Sequence, residues 1–284
     1  MTSVAYLNGE FLPLDEACVP VLDRGFLLGD GVYEVIPVYH GCLFRLQAHL
    51  ERLEYSLHET RIANPHDRGT WQAILEDLVR RNGGGDRSVY LQITRGVAAR
   101  DHAFPADTPP TVFAMSHPLP APDPRIAREG VAAVTLEDIR WARCDIKTIS
   151  LLGNVLLRQA AIDRGAQEAI LVRDGEVTEG AASNVFIVDE EGHLLTPPKG
   201  PRLLPGITRD LVLELAEAHA IPHHERPFSE AALGRAREIW LTSSTKEILP
   251  VTRLNGEPVG DGRPGPLWRR MNDIYQAFKA ALAP

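Results

Sequence analysis

The stretch IRWARCDIKTISLLGN, residues 139–154, holds one lysine between Ile146 and Ile149, just ahead of an apolar helical pattern. Lysine is scarce in this chain: of 30 basic residues, 26 are Arg and only Lys147, Lys199, Lys246 and Lys279 are Lys. Lys279 falls in an amphipathic C-terminal pattern, Lys199 in the loop sequence PPKGP at 197–201, and Lys246 beside Glu247. Lys147 differs in leading directly into an apolar helical pattern. A lysine in such surroundings gives up its proton more readily and then serves as an amine nucleophile or base. By itself this reading stands second to that of an exposed lysine on a strand edge.

Upstream of this stretch, seven of the 22 prolines lie between Pro105 and Pro124, ending in HPLPAPDP. Proline fixes φ and removes a donor, so an extended connector is expected there. It divides the chain into a domain over 1–118, a linker over 119–125 and a larger domain over 126–284. In the first part, Asn8-Gly9 signals a hairpin, and Leu43, Leu46, Leu50, Leu53 and Leu57 predict an amphipathic helix. Trp71 to Val79 predict a second helix, and 89–93 and 111–115 read as strands. The second part mixes strands near 131–136, 168–173, 184–189, 238–243 and 248–254 with helices near 152–164, 207–219 and 265–282. Hairpin joints and irregular spacing favour α+β domains with mixed or antiparallel sheets and flanking helices over a regular βαβ array.

Several chemistries are excluded. A net charge of −8 argues against nucleic-acid binding. No apolar run has the roughly 18 residues a membrane span needs, and the N-terminus lacks a signal-peptide pattern. Cys18, Cys42 and Cys144 are odd in number and far apart, so a disulfide framework is not expected and a cytoplasmic location is. None of the lysines lies in a P-loop, and HExxH and GxSxG are absent. GFLLGDG at 25–31 leads into the strand-like run at 32–36, where a dinucleotide loop would need a helix. No carboxylate or third histidine stands at ligand spacing from His223-His224, so no metal site is expected.

Seven stretches in register then give the chain a family resemblance. They are DRGFLLGDGVYEV at 23–35, the helix with His49 and Arg52, RGVAARDHAFP at 95–105, CDIKTISLLGN at 144–154, TEGAASNVF at 178–186, GITRD at 206–210 and LTSSTKEI at 241–248. Together they resemble the fold-type IV pyridoxal-phosphate enzymes, and among them the D-amino acid transaminases. The resemblance implies a two-domain α+β fold and pyridoxal 5'-phosphate as cofactor. It also implies a homodimer whose active site lies between the domains and is completed by the partner subunit.

The resemblance assigns roles residue by residue. Lys147 matches the Schiff-base lysine and proton carrier. Glu179 matches the carboxylate that faces the pyridine nitrogen. Arg52, Ile207, Thr208, Ser243 and Ser244 match the phosphate donors. Tyr33, Arg100 and His102 match the groups that hold the substrate carboxylate, and they are the ground for a D preference. Ala181 and Ala182 replace serines common in relatives, and Arg140, Leu204 and Lys246 receive no role. The implied activity is ping-pong transfer of an amino group from a D-amino acid, such as D-alanine, to a 2-oxo acid, such as 2-oxoglutarate. Aminodeoxychorismate lyase, a branched-chain L-amino acid aminotransferase and a non-catalytic cofactor-binding homologue stay open.

Overall fold

The structure, a computed structural model, describes residues 3–282. In the first part of the chain lie β1 (Val4–Leu7), β2 (Glu10–Pro13), α1 (Arg24–Leu28), β3 (Gly31–Tyr39) and β4 (Cys42–Leu43). They are followed by α2 (Leu46–Thr60), α3 (Arg68–Arg81), β5 (Arg87–Thr94) and β6 (Thr111–Pro118). The six strands form one antiparallel sheet in the order β2-β1-β6-β5-β3-β4. Strand alternation sends Val32, Ile36, Val89, Leu91, Ile93, Val112 and Ala114 into a core shared with Leu50, Leu53 and Leu57 of α2 and Trp71, Leu75 and Leu78 of α3. Each fully buried leucine there stabilises the fold by roughly 1.5–3 kcal/mol.

This unit runs to Pro120 and takes in a piece of distant sequence, Ile146–Leu151. The expected division placed Lys147 in the second domain; the backbone groups it with the first instead. The reason is hydrogen bonding along the start of β3: Tyr33 N–H donates to the Lys147 carbonyl at 2.9 Å, and Ile149 N–H to the Gly31 carbonyl at 3.0 Å. Ile146 adds its side chain to the same core.

The second unit comprises α4 (Pro124–Glu129), β7 (Val131–Glu137), α5 (Leu152–Asp163), β8 (Glu168–Arg173), β9 (Glu176–Gly180), β10 (Asn184–Val188) and β11 (Leu194–Thr196). It continues with α6 (Ile207–Ala218), β12 (His223–Glu225), α7 (Glu230–Gly234), β13 (Glu238–Ser243), β14 (Glu247–Leu254), β15 (Glu257–Pro258) and α8 (Pro266–Ala280). Its mixed sheet runs β12-β11-β10-β13-β14-β7-β8-β9, with β15 on β14. The pairs β14–β7, β7–β8 and β11–β12 are parallel. Asp174-Gly175 and Asn255-Gly256 turn the β8–β9 and β14–β15 hairpins with positive φ, as those residue pairs allow.

Two sequence expectations are corrected. The leucine pattern from Leu43 does not begin as helix: Cys42–Leu43 pairs with Val38 and Tyr39, and helix starts only at Leu46. The proline-rich seam is not extended throughout, because Pro124 opens α4 with Asp123 as its cap. Proline's missing donor costs nothing in a first helical turn. No helix among the described residues is long and apolar enough to cross a membrane.

Candidate active site

Helix α2 buries more than leucines. Its inward stripe also carries His49, Arg52 and Ser56, spaced so that all three share the face with Leu46, Leu50, Leu53 and Leu57. Polar groups there need partners. Arg52 finds Glu34, a wholly buried residue of β3, and grips both its oxygens through Nε at 2.9 Å and a terminal nitrogen at 2.8 Å. Nδ1 of His49 lies 2.7 Å from the same carboxylate. Burial alone would raise the Glu34 carboxyl, but the charge and fork of Arg52, with His49, hold it down at about 2. Burial lowers His49, with Glu34 opposing. Ser56 accepts the Lys147 backbone N–H at 3.1 Å. Arg52 is thus not paired with Glu51 or Glu54 on the helix surface; those two acids hold Arg68.

Lys147 Nζ sits 4.1 Å from the centre of the Tyr33 ring, a cation–π contact. Each of the other lysines has a carboxylate: Lys199 has Asp210 at 2.7 Å, Lys279 has Glu247 at 2.6 Å and Lys246 has Glu168 at 4.0 Å. Among the described residues Lys147 has none. Arg100 and His102 are exposed on the loop after β5. That loop is tethered by the buried Arg24, which donates to the Asp101 carbonyl at 2.6 Å, and by Phe104, over which Arg95 lies at 3.7 Å. No hydrogen bond or ion pair joins Arg100 or His102 to Tyr33 among the described residues.

A second polar cluster lies in the other unit. Glu179, at the end of β9, is buried and accepts from Arg140, from Asn184 Nδ2 at 3.1 Å and from the Leu204 backbone N–H at 3.0 Å. Arg140 also forks onto Asp138, with Nε on one oxygen and a terminal nitrogen on the other, each at 2.9 Å. Burial raises the Glu179 carboxyl to about 7 despite the Arg140 charge. Asn184 also donates to the Leu204 carbonyl at 2.8 Å, so Leu204 contributes through its backbone.

Ile207 and Thr208 open α6 and are buried, and Gly206 caps the helix with no side-chain acceptor on its first N–H groups. A Cβ on Gly206 would collide with Asn184 Oδ1. Ser243 and Ser244 lie half-buried at the turn from β13 to β14. Ser183 Oγ and Thr242 Oγ1 are buried without a hydrogen-bond partner.

The sequence reading missed Glu34, Asp138 and Asn184. Glu34 left a signal: a carboxylate inside the apolar run at 32–36 must be paired or neutral. Asp138 and Asn184 stand close in sequence to their partners, Asp138 two residues before Arg140 and Asn184 five after Glu179, but spacing alone does not show that these groups are buried together.

The family described as Amino-transferase class IV matches residues 31–254. The D-alanine aminotransferase of Bacillus licheniformis is 40% identical over 269 residues, covering 95% of this chain and 94% of that one. That of Staphylococcus haemolyticus is 39% identical over 281 residues, covering 98% of each. Among solved structures, the branched-chain amino acid aminotransferase of Escherichia coli superposes with a TM-score of 0.92 at 27% identity, covering 98% of this chain and 94% of that one. The T.th. branched-chain amino acid aminotransferase with pyridoxamine 5'-phosphate gives 0.90 at 26% identity, covering 97% and 93%. With a family match over most of its length and relatives near 40% identity, the chain belongs to the class IV aminotransferases.

Proposed function

We propose that this protein is a pyridoxal-phosphate-dependent transaminase that moves the amino group of a D-amino acid, such as D-alanine, to a 2-oxo acid, such as 2-oxoglutarate. The observation that carries the reading is Lys147: the one lysine without a carboxylate partner among the described residues, set against an aromatic ring. The relatives named D-alanine aminotransferase support the D preference, as does the Arg100-Asp101-His102 sequence.

The donor set fits the cofactor. Aldehyde capture needs an amine free of ion pairing, which Lys147 offers. A phosphate needs several donors, and the uncapped start of α6, Thr208, Ser243, Ser244 and Arg52 provide them. A protonated ring nitrogen needs a buried carboxylate, and Glu179 is one. When bound, pyridoxal phosphate supplies an aldehyde that takes the amino group and a ring that accepts electrons from the α-carbon.

The protein's own groups do the rest. Lys147 would hold the cofactor through its amine, and its Nζ would carry the α-proton of the substrate. Glu179, oriented by Asn184, Arg140 and the Leu204 N–H, would keep the cofactor's ring nitrogen protonated. Tyr33, with the partner subunit's copies of the Arg100 and His102 loop, holds the substrate carboxylate. Glu34 fixes the plane of Arg52. The transfer proceeds in two halves, with ping-pong kinetics.

The reading includes a homodimer and a cytoplasmic location. Leu152, Val155 and Leu156 make an exposed apolar stripe on α5, which supports coverage by a second copy. Three cysteines without disulfides support the location.

A panel of paired D- and L-amino acids with 2-oxoglutarate tests the proposal on the wild type and Arg100→Ala. The expected result is turnover of D-alanine but not L-alanine. Arg100→Ala should lose D-amino acid turnover by ~100-fold or more, as expected for removing a charge-assisted anchor, while keeping the cofactor. Turnover confined to L-amino acids, or pyruvate release from aminodeoxychorismate without transamination, would overturn it.

A further inference from the structure

Resting on the reading that the start of α6 holds the cofactor's phosphate, we propose that Arg209 and Lys199 clamp Asp210 and so make this helix start fit to receive a dianion, with Arg209 as the positioning residue. The difficulty they solve is Asp210 itself, an acidic side chain in the first turn of α6. A carboxylate there stabilises an isolated helix, but it competes with an anionic ligand for the same N-terminal field and repels it.

Each Asp210 oxygen carries a cation. Lys199 Nζ lies 2.7 Å from Oδ2, and an Arg209 terminal nitrogen 3.0 Å from Oδ1. The Arg209 side chain is 0% exposed. Its other terminal nitrogen donates to the Pro197 carbonyl at 2.8 Å and to Glu225 at 2.5 Å. It therefore ties the first turn of α6 both to the loop after β11 and to β12. Lys199, Asp210, Arg209 and Glu225 sum to zero charge; without the arginine the group carries one net negative charge beside the helix start. The Nε–H of Arg209 is buried without a hydrogen-bond partner.

Neither cation is assigned a contact with the phosphate; that belongs to Thr208 and the first N–H groups of α6. The clamp acts through Asp210, which makes its effect specific for a phosphorylated ligand. The full-length chain, freed of cofactor, is titrated with pyridoxal phosphate and with pyridoxal, which keeps the aldehyde and lacks the phosphate. Lys199→Met should raise the Kd for pyridoxal phosphate about threefold and Arg209→Met about tenfold or more, the range of a helix-terminus charge effect. Both should leave the Kd for pyridoxal within about twofold, and adding Asp210→Asn to either variant should restore part of the loss, because the uncompensated charge is then gone.

Lys199 is about half exposed, so Lys199→Met and Lys199→Met/Asp210→Asn carry the test even where Arg209→Met does not fold. Equal weakening of both ligands, or no rescue by Asp210→Asn, would overturn the clamp. Failure of the underlying reading shows elsewhere: wild-type protein that binds pyridoxal as tightly as pyridoxal phosphate would show that no phosphate is held at all.

Discussion

Glu34 and Glu179 are both buried carboxylates, and they titrate in opposite directions. Glu34 has an arginine fork on both oxygens, which outweighs burial; Glu179 shares its arginine with Asp138, and burial wins. The difference has a consequence for stability in the cofactor-free protein. With its folded value raised to about 7, Glu179 holds a proton that the unfolded chain has already lost above about pH 4.5. Its contribution to stability therefore falls as pH rises from about 4.5 to 7 and is constant above that. His49, lowered by burial, works the other way in the same region, so the readout is the difference between wild type and variant. Glu179→Gln should flatten the Glu179 part, which urea melts of the two proteins from pH 5 to 8 will show. Parallel curves would mean that the carboxyl is already ionised throughout. Lys147 and Glu179 can be singled out as candidates from their motifs, and the Glu179 motif also holds Asn184; that Arg140 and the Leu204 N–H reach the same carboxylate is decided by the fold.

Among single elements, α6 shows how a local pattern leaves a helix start open. The apolar spacing of Ile207, Leu211, Val212 and Leu215 identifies the helix, but its bare N-terminus depends on Gly206. The backbone there is in an ordinary extended conformation, so the glycine serves space rather than φ: a side chain would strike Asn184. Gly206→Ala should push Asn184 away from Glu179 and Leu204, costing about 1–3 kcal/mol of stability as overpacking does. Cofactor retention after gel filtration should fall with it, and the added change Asn184→Ser should recover much of the stability by making room. Unchanged melting and retention would show that the loop before α6 yields freely. Helix α2 gives the complementary lesson. Its leucine period is legible but its start is not, because Cys42–Leu43 pairs with β3; that His49, Arg52 and Ser56 belong to the buried face follows from the same 3.6-residue period, but their purpose needs β3 and Glu34 opposite them.

For the molecule as a whole, the exposed stripe of Leu152, Val155 and Leu156 is the feature that a lone chain leaves unexplained, each residue being more than half exposed. On the proposed homodimer, Val155→Glu together with Leu156→Glu should yield a monomer in light scattering, with the circular dichroism spectrum kept and D-alanine turnover lost. A dimeric, active double variant would move the contact elsewhere. The linear order of residues was enough for the α+β class, the family and the chemistry to look for. These rest on local periodicity and on motifs whose residues are neighbours in the chain. It took the folded chain to show that Ile146–Leu151 packs with the first unit, that Arg52 is held by Glu34, and that Asp210 is neutralised from both sides. The first two depend on hydrogen bonds between residues remote in sequence, and the third on Lys199, from the loop after β11, joining Arg209, the chain neighbour of Asp210; only the fold decides which of the available charges meet.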